Sequence, residues 1–145
     1  MSIALCLALL FSLVPVGPVA APAQDDMGTG GDAGDNFSTA TLISAGSGTG
    51  YGDSSDMYDV YKISVSSGQS VSVNLTPSTD TDFDLTLYDT NQTQVDSSAY
   101  SGTSTDSVTG TASASGYFYI EVYRYSGSGT YSMTVTVAGG GNITT

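Results

Sequence analysis

The chain has 145 residues, no His and one Cys, and its 14 acidic against 2 basic residues give a formal net charge of −12. The absence of imidazole excludes Ser-His-Asp triads and His-ligated zinc, and a single thiol excludes an internal disulfide. Such a charge repels nucleic acid and anionic membranes, and it suits divalent cations, high salt or a basic partner. The alternative is that the charge only keeps the protein soluble.

The first 23 residues have the pattern of a secretory signal peptide. The apolar run "IALCLALLFSLV", residues 3–14, has the length of a signal-peptide core and is too short to cross a bilayer. Small residues in "APA" predict cleavage after Ala23, which removes Cys6 and leaves Gln24 first. No Lys or Arg precedes the run, so a retained N-terminal anchor is the alternative. We expect a secreted, extracellular or cell-surface protein that is not attached to the membrane once the leader is removed.

Residues 24–36, "QDDMGTGGDAGDN", lack apolar periodicity and are predicted to be a flexible lead-in. Beyond them apolar and polar residues alternate, which is typical of half-buried strands. About eight short strands are predicted, at 40–44, 58–65, 70–75, 83–89, 93–98, around Val108, at 117–123 and at 130–137. The second and third, joined by the turn "SSGQ", are expected to form a hairpin. The pattern indicates an all-β, antiparallel β-sandwich over residues 37–138, followed by a flexible tail at 139–145.

Five segments carry a family resemblance: "DNFSTATLI", "DVYKISVSSGQSVSV", "DFDLTLYD", "SGYFYIEVY" and "GTYSMTVTV". In this order they resemble the bacterial and archaeal pre-peptidase C-terminal domain, over about residues 35–137. The resemblance implies a jelly-roll-like β-sandwich, usually appended to secreted peptidases. It also implies a relation to the collagenase modules that bind calcium and collagen.

The segment "TDTDFDLTLYD" places Asp80, Asp82 and Asp84 at alternate positions. It resembles the start of an EF-hand loop, but it lacks the Gly and the bidentate Glu that the sixth and twelfth positions require. In a strand, Asp82 and Asp84 would share one face about 6.7 Å apart. In water their repulsion would be only about 0.6 kcal/mol, so no cation is required. We favour a solvated strand face, with a cation site and a catalytic carboxylate pair as alternatives.

A better candidate for a cation site is the pair of acidic segments "GDAGDN" and "GDSSDMYD". Calcium needs six to eight oxygen ligands, which proteins usually gather from loops. In the calcium-binding relatives the ligands come from the same two regions. The resemblance therefore points to Asp35, Asn36, Asp56 and Asp59 as calcium ligands. The alternative is a solvated acidic loop.

The strand "YFYIEVY" predicts a row of exposed tyrosines. With Phe118, Ile120 and Val122 inward, the opposite face carries Tyr117, Tyr119, Glu121 and Tyr123. We expect the neighbouring strand to add Thr130, Ser132, Thr134 and Thr136 to that face. Such a surface could bind a polysaccharide, a fibrous protein or another copy of the chain. The alternative is ordinary cross-strand pairing that stabilises the sheet.

Every asparagine of the chain begins an N-x-S/T sequon: Asn36, Asn74, Asn91 and Asn142. All four are predicted in turns, in flexible segments or on outward strand positions, where a glycosyltransferase can reach them. We favour N-glycosylation over a coincidence of composition.

These observations predict a secreted, non-enzymatic binding or assembly module of the extracellular surface. A subunit of a glycosylated surface layer or filament fits this description, with calcium as the only cofactor expected. The alternative is an accessory or substrate-targeting domain for a separately encoded secreted peptidase. An enzyme is least favoured, because the chain has no His and a single Glu.

Overall fold

The structure, a computed structural model, describes residues 24–140. The leader at 1–23, its cleavage after Ala23 and the sequon at Asn142 lie outside this range. Nine strands and one short 3-10 helix, Asp26–Gly28, lie within it. The strands are β1 (Thr41–Ile43), β2 (Gly46–Gly52), β3 (Tyr58–Val65), β4 (Gln69–Pro77), β5 (Asp82–Tyr88), β6 (Gln94–Ser98), β7 (Asp106–Thr111), β8 (Gly116–Ser126) and β9 (Gly129–Gly139). Over residues 24–140 no helix is long and apolar enough to span a membrane.

The strands form two sheets that pack face to face. The five-stranded sheet has the order β1-β3-β8-β5-β6, and the four-stranded sheet has the order β2-β9-β4-β7. Neighbouring strands are antiparallel except for β1 and β3, which pair in parallel over three residues. The predicted all-β antiparallel sandwich is confirmed, with nine strands in place of about eight.

Buried and exposed side chains alternate strictly along the strands, and the buried ones form the core between the sheets. In β5 the buried positions are Phe83, Leu85 and Leu87, each at most 1% exposed. They meet β4 residues such as Val73 and Leu75, which are completely buried. Each such side chain contributes about 1.5–3 kcal/mol by leaving water. The core therefore holds the sandwich together without disulfides.

Strand β2 was not predicted, because its sequence "GSGTGYG" contains a single large side chain, Tyr51, and so has no alternating apolar pattern. Its core-facing positions are glycines for a steric reason. A Cβ on Gly50 would lie 2.2 Å from the Tyr131 ring, and one on Gly48 would lie 2.9 Å from the Met27 sulfur. The large side chains of neighbouring segments fill the space that β2 leaves free.

The predicted hairpin between residues 58–65 and 70–75 is wrong. Strand β3 pairs with β1 and β8, whereas β4 pairs with β7 and β9 in the other sheet. The turn between them instead carries the chain from one sheet to the other, with Gly68 at φ 89°. Alternation shows which side chains point inward, but it does not show which strand lies alongside. Both arrangements bury the same residues.

The lead-in, expected to be flexible, is folded against the sandwich. The Asp26 N–H donates to the Gly31 carbonyl at 2.9 Å and closes a small loop. Further along, Gly34 forms an antiparallel bridge with Val60 of β3. Ala33 is 3% exposed and belongs to the core cluster. This segment is held in place by backbone hydrogen bonds and by a carboxylate rather than by a row of apolar side chains. Its sequence therefore has no hydrophobic periodicity from which the folded arrangement could be predicted.

Candidate metal centre

Three carboxylates converge where the lead-in meets the start of β3. Asp26, Asp32 and Asp59 each place one carboxylate oxygen within 4.8 Å of the other two. Asp26 and Asp59 are buried, whereas Asp32 is exposed and closes the group from the solvent side. We call these three residues the acidic cluster. The two polypeptide segments that supply them are already joined by the bridge between Gly34 and Val60.

Backbone amides hold Asp26 in place. One of its oxygens accepts from the Ala33 N–H at 2.9 Å, and the other accepts from the Tyr51 N–H at 2.9 Å. The side chain therefore connects the lead-in loop to β2 and is only 1% exposed. Each oxygen keeps a further lone pair for another donor or a cation.

Asp59 lies at the base of the cluster and is 3% exposed. Its Oδ2 accepts from the Tyr131 hydroxyl at 2.5 Å, and the Tyr131 and Tyr61 hydroxyls are also 2.5 Å apart. Its Oδ1 is buried and has no hydrogen-bond partner within residues 24–140. Leaving such an atom unpaired costs about 1–3 kcal/mol or more, and a bound cation would remove that cost.

Asp56 lies beside the cluster, in the loop before β3. Its Oδ2 accepts from the Gln24 side-chain amide at 2.5 Å. Its Oδ1 is buried, again with no partner in the described part of the chain. Asp53 and Asp56 close a tight turn through reciprocal backbone hydrogen bonds of 3.0 and 3.2 Å. Asp53 Oδ1 bonds to Ser55 within that turn and so stabilises the loop.

The electrostatics of this region disfavour negative charge. Burial raises the pKa of Asp59 to about 8, and the charges of Asp26, Asp56 and Asp32 raise it further, against the lowering effect of the Tyr131 hydrogen bond. Burial also raises the pKa of Asp56 to about 6, with contributions from Asp32, Asp26 and Asp35. The pKa of Asp26 is raised mainly by burial. A divalent cation would reverse this effect, because it stabilises the ionised carboxylates.

The donor set fits calcium. It offers carboxylate oxygens, which are the ligands of a hard cation, and they come from two chain segments and a loop. Asp59 and Asp56 present buried oxygens that no donor in residues 24–140 satisfies. These residues and Asp26 and Asp32 would hold the ion, with water completing the six to eight oxygens it needs.

The four ligands suggested by the sequence are placed differently. Asp59 belongs to the acidic cluster and Asp56 lies next to it. Asp35 is exposed, and its charge acts on Asp56. The side-chain oxygen of Asn36 accepts hydrogen bonds at 2.6–3.2 Å from Ser38 and Thr39, so it caps its own turn. Asp26 was missed because nothing in "QDDMG" shows that an aspartate there is buried.

The tyrosine row of β8 lies on the outer face of the five-stranded sheet. Tyr58 and Tyr123 pair across β3 and β8 with ring centroids 5.0 Å apart. The Phe37 ring contacts Tyr88 at 4.9 Å and Tyr119 at 5.1 Å, both nearly edge-on. Tyr117 is 41% exposed, and the Lys62 ammonium lies 5.2 Å from its ring centroid. We call this surface the tyrosine face; it consists of Phe37, Tyr58, Tyr88, Tyr117, Tyr119 and Tyr123.

The hydroxyl residues expected beside the tyrosines lie on the other sheet. Thr130, Ser132, Thr134 and Thr136 belong to β9, whose neighbours are β2 and β4. Thr134, for example, bonds to Ser47 of β2 at 2.8 Å. The prediction was wrong because β8 and β9, although consecutive, belong to different sheets.

The three sequon asparagines in the described range are all exposed. Asn36 lies in a turn before β1, Asn74 lies on the outer side of β4, and Asn91 lies in the turn after β5. Their use as glycosylation sites stays a prediction.

Residues 57–124 match the model of the family described as "Bacterial pre-peptidase C-terminal domain". Among solved structures, the chain is similar to the pre-peptidase C-terminal domain of collagenase from Bacillus anthracis. The two are 23% identical with a TM-score of 0.58, over 67% of this chain and 94% of that one. This likeness supports the β-sandwich fold.

Two periplasmic inhibitors of g-type lysozyme, called PliG, share a more distant likeness. The Aeromonas hydrophila protein has a TM-score of 0.44 at 18% identity, over 68% of this chain and 97% of that one. The Salmonella Typhimurium protein has the same TM-score and identity, over 69% of this chain and all of the other. No curated protein sequence matches the chain significantly.

Proposed function

We propose that this chain is a non-enzymatic β-sandwich module of the pre-peptidase C-terminal type that acts outside the cell. In this proposal calcium fastens the N-terminal lead-in to the sandwich, and the tyrosine face binds a partner. The observation that carries the calcium proposal is the buried, unpartnered Oδ1 of Asp59, in the described chain, beside the carboxylates of Asp26 and Asp32. The match of residues 57–124 to the family supports the module type.

The cation would act as a structural clamp. Asp26 and Asp32 belong to the lead-in, whereas Asp59 belongs to β3 of the five-stranded sheet. Asp26 also bonds to the backbone of β2 in the four-stranded sheet. One ion at this position would join the lead-in and both sheets, and its binding free energy would add to the stability of the fold.

The tyrosine face suits an extended extracellular polymer, such as a polysaccharide or a fibrous protein. Its rings offer apolar surface and hydroxyl groups at low entropic cost, as carbohydrate and protein partners require. A shallow cleft of about 310 Å³ adjoins it, lined by Asp35, Asn36, Phe37, Tyr58 and Glu121. Self-association through this face is the variant in which the chain forms a filament or a glycosylated surface layer.

The second candidate function is an accessory or substrate-targeting domain for a separately encoded secreted peptidase. The family description, a pre-peptidase C-terminal domain, favours it. Electron microscopy of the secreted protein separates the two, because filaments support assembly and a monomer that co-purifies with a peptidase supports the accessory role. Its intact mass tests the sequons, since a mass equal to that of the bare polypeptide rules out glycosylation.

Calorimetric titration with calcium tests the cation proposal. We expect saturable binding by the wild type, and about tenfold or greater loss of affinity in Asp59→Asn, which keeps the shape of the side chain but removes its charge. Asp53→Asn is the matched control, because Asp53 also lies in this region but bonds only within its own turn. The proposal fails if calcium does not bind, or if both variants bind it like the wild type.

A further inference from the structure

The cleft beside the tyrosine face combines aromatic rings with carboxylates. Phe37 and Tyr58 contribute the rings that line it. Asp35 and Glu121 line it too and carry negative charge. This combination suits an organic cation, because carboxylates attract the charge while a ring contacts the alkyl chain or the guanidinium plane. Lys and Arg side chains are the cations of this kind that a polypeptide partner carries.

Both carboxylates are held where a partner can reach them. Glu121 lies on the outer side of β8, opposite Val60 of β3. Its Oε1 accepts from the Tyr88 hydroxyl at 3.2 Å, which positions the carboxylate on the tyrosine face. A carboxylate has about four lone-pair sites, so Glu121 can still accept from a partner. Asp35, in the lead-in, is exposed.

One cation of the chain itself already lies on a ring of this face. The Lys62 ammonium is 5.2 Å from the centroid of the Tyr117 ring, within the range of a cation–π interaction. Lys62 lies opposite Tyr119, and Tyr58 lies opposite Tyr123. The ammonium therefore extends along the face away from Tyr58. The Tyr58 ring, which is 41% exposed, is left for a cation from outside the chain.

A second copy of the chain is poorly suited to supply that cation. The 145 residues include only two basic side chains, Lys62 and Arg124, against 14 acidic ones. Lys62 is engaged by Tyr117, and the Arg124 Nε donates to the Gly127 carbonyl. Another copy would also bring a further net charge of −12 against an acidic cleft. A neutral polysaccharide would leave the two carboxylates without a counter-charge.

Negative charge continues along the outer face of the same sheet. Asp82 and Asp84 lie on the outward side of β5 and are partly exposed. Asp84 lies opposite Tyr123 of β8. A partner with several basic residues would therefore be attracted along the face as well as at the cleft, which accelerates association at low salt.

We propose that the cleft beside the tyrosine face binds Lys or Arg side chains of a basic polypeptide. Tyr58 and Phe37 contact the side chain, and Glu121 and Asp35 pair with its charge. This inference rests on the proposed function, in which the tyrosine face binds a partner. It selects a basic polypeptide over a neutral polysaccharide and over a second copy of the chain.

Binding of a fluorescent oligoarginine peptide, followed by anisotropy near physiological ionic strength, tests the proposal. At that salt, exposed charges more than about 8 Å apart are largely screened, so the net charge of the chain contributes little. We expect saturable binding by the wild type. Glu121→Gln keeps an acceptor for Tyr88 and should weaken binding about fivefold. Tyr58→Leu keeps apolar surface without a ring and should weaken it about two- to fivefold.

Asp80→Asn is the matched control. Asp80 is exposed, and asparagine tolerates its left-handed backbone at φ 64°. It precedes Asp82, which pairs with Ser126. Ser126 lies beyond Glu121 on β8, about 17 Å along the strand. The control removes the same charge far from the cleft and should bind the peptide like the wild type.

The proposal is overturned if Glu121→Gln binds the peptide as tightly as Asp80→Asn, because only the net charge would then attract it. It is also overturned if the wild type is retained on cellulose or chitin, and Tyr119→Ser is not, but oligoarginine does not bind. In that case the tyrosine face remains a binding surface for a neutral polymer. If neither the peptide nor the polymers bind, the proposed function of the face fails together with this inference. Circular dichroism confirms that each variant is folded.

Discussion

The acidic cluster and the tyrosine face lie on opposite sides of one strand. In β3, Asp59 points inward and is 3% exposed, whereas the preceding residue, Tyr58, points outward and is 41% exposed. The inward side gathers carboxylates that destabilise one another without a cation. The outward side gathers rings that already pack against one another. In our proposal, calcium bound on the inward side adds to the stability of the fold, and the outward side is available for a partner.

The largest effect expected is a pH dependence of stability that calcium reverses. The pKa of Asp59 is about 8 in the folded protein and that of Asp56 is about 6, against an ordinary value of 3.8. Above the ordinary pKa of 3.8, these two carboxyl groups lose their protons in the unfolded chain but retain them in the folded protein. The free energy of unfolding therefore falls as the pH rises from that value to the folded pKa values. With chelator present, the melting temperature should therefore fall between about pH 4, near the ordinary value, and about pH 8, the pKa of Asp59 in the folded protein.

Saturating calcium should flatten or invert this slope, because the ion requires the ionised carboxylates. Asp59→Asn serves as the control, since it cannot titrate and should show a weaker slope in chelator. A melting temperature in chelator that rises over this pH range would contradict the burial of these groups.

A smaller effect is expected from removing the hydroxyl that orients Asp59. Tyr131→Phe deletes the donor to Asp59 Oδ2 and also leaves the Tyr61 hydroxyl without this partner. We expect a loss of about 1–3 kcal/mol in the free energy of unfolding and weaker calcium binding. Chemical denaturation and calorimetric titration measure the two effects.

Tyr61→Phe is the matched control for that change. The Tyr61 hydroxyl forms a hydrogen bond with the Tyr131 hydroxyl and does not bond to Asp59. The Tyr61→Phe variant should therefore be less stable than the wild type but bind calcium with a similar affinity. Equal effects on calcium affinity in both variants would show that Tyr131 does not position Asp59.

The smallest effect on stability is expected on the tyrosine face. Tyr119→Ser removes the edge-on contact with Phe37, which lies 5.1 Å away. Such contacts contribute about 0.5–1.5 kcal/mol, so the fold should persist and its calcium affinity should be unchanged. Because the variant lacks the ring that would contact a partner, it should no longer be retained on chitin, cellulose or fibrillar collagen. If the partner is another copy of the chain, the variant should no longer self-associate in sedimentation experiments.

Thr134→Ala, on the outer face of the four-stranded sheet, is the corresponding control. Its hydroxyl bonds to Ser47 across β9 and β2, well away from the tyrosines. It should leave retention and assembly unchanged. If Tyr119→Ser behaves like Thr134→Ala, the tyrosines only stabilise the sheet by cross-strand pairing.

The two sides of β3 also differ in how well the sequence predicts them. Alternation assigned Tyr117, Tyr119 and Tyr123 to one face correctly, because the period of a strand depends only on local geometry. It could not show that β8 lies between β3 and β5, or that β9 lies in the other sheet. Pairing is decided by contacts between distant residues, which one strand's pattern does not contain.

The acidic cluster was predicted only in part for the same reason. The family resemblance pointed to Asp56 and Asp59, but Asp26 is buried by the folding of a glycine-rich segment without hydrophobic periodicity. Asp82 and Asp84, expected to be a solvated pair, do lie on the outward side of β5, but both are only partly exposed. Carboxylates gathered from separate segments become recognisable as sites only when the fold brings them together.

The melting temperature of the protein at about pH 8, in calcium and in chelator, tests the central claim most directly. A ligand that binds only the folded state adds about 2.7 kcal/mol of stability when its free concentration is one hundred times its Kd. We predict that millimolar calcium raises the wild-type melting temperature by several degrees and that Asp59→Asn loses most of this increase. An unchanged melting temperature in calcium and in chelator would contradict the claim that a cation holds the lead-in to the sandwich.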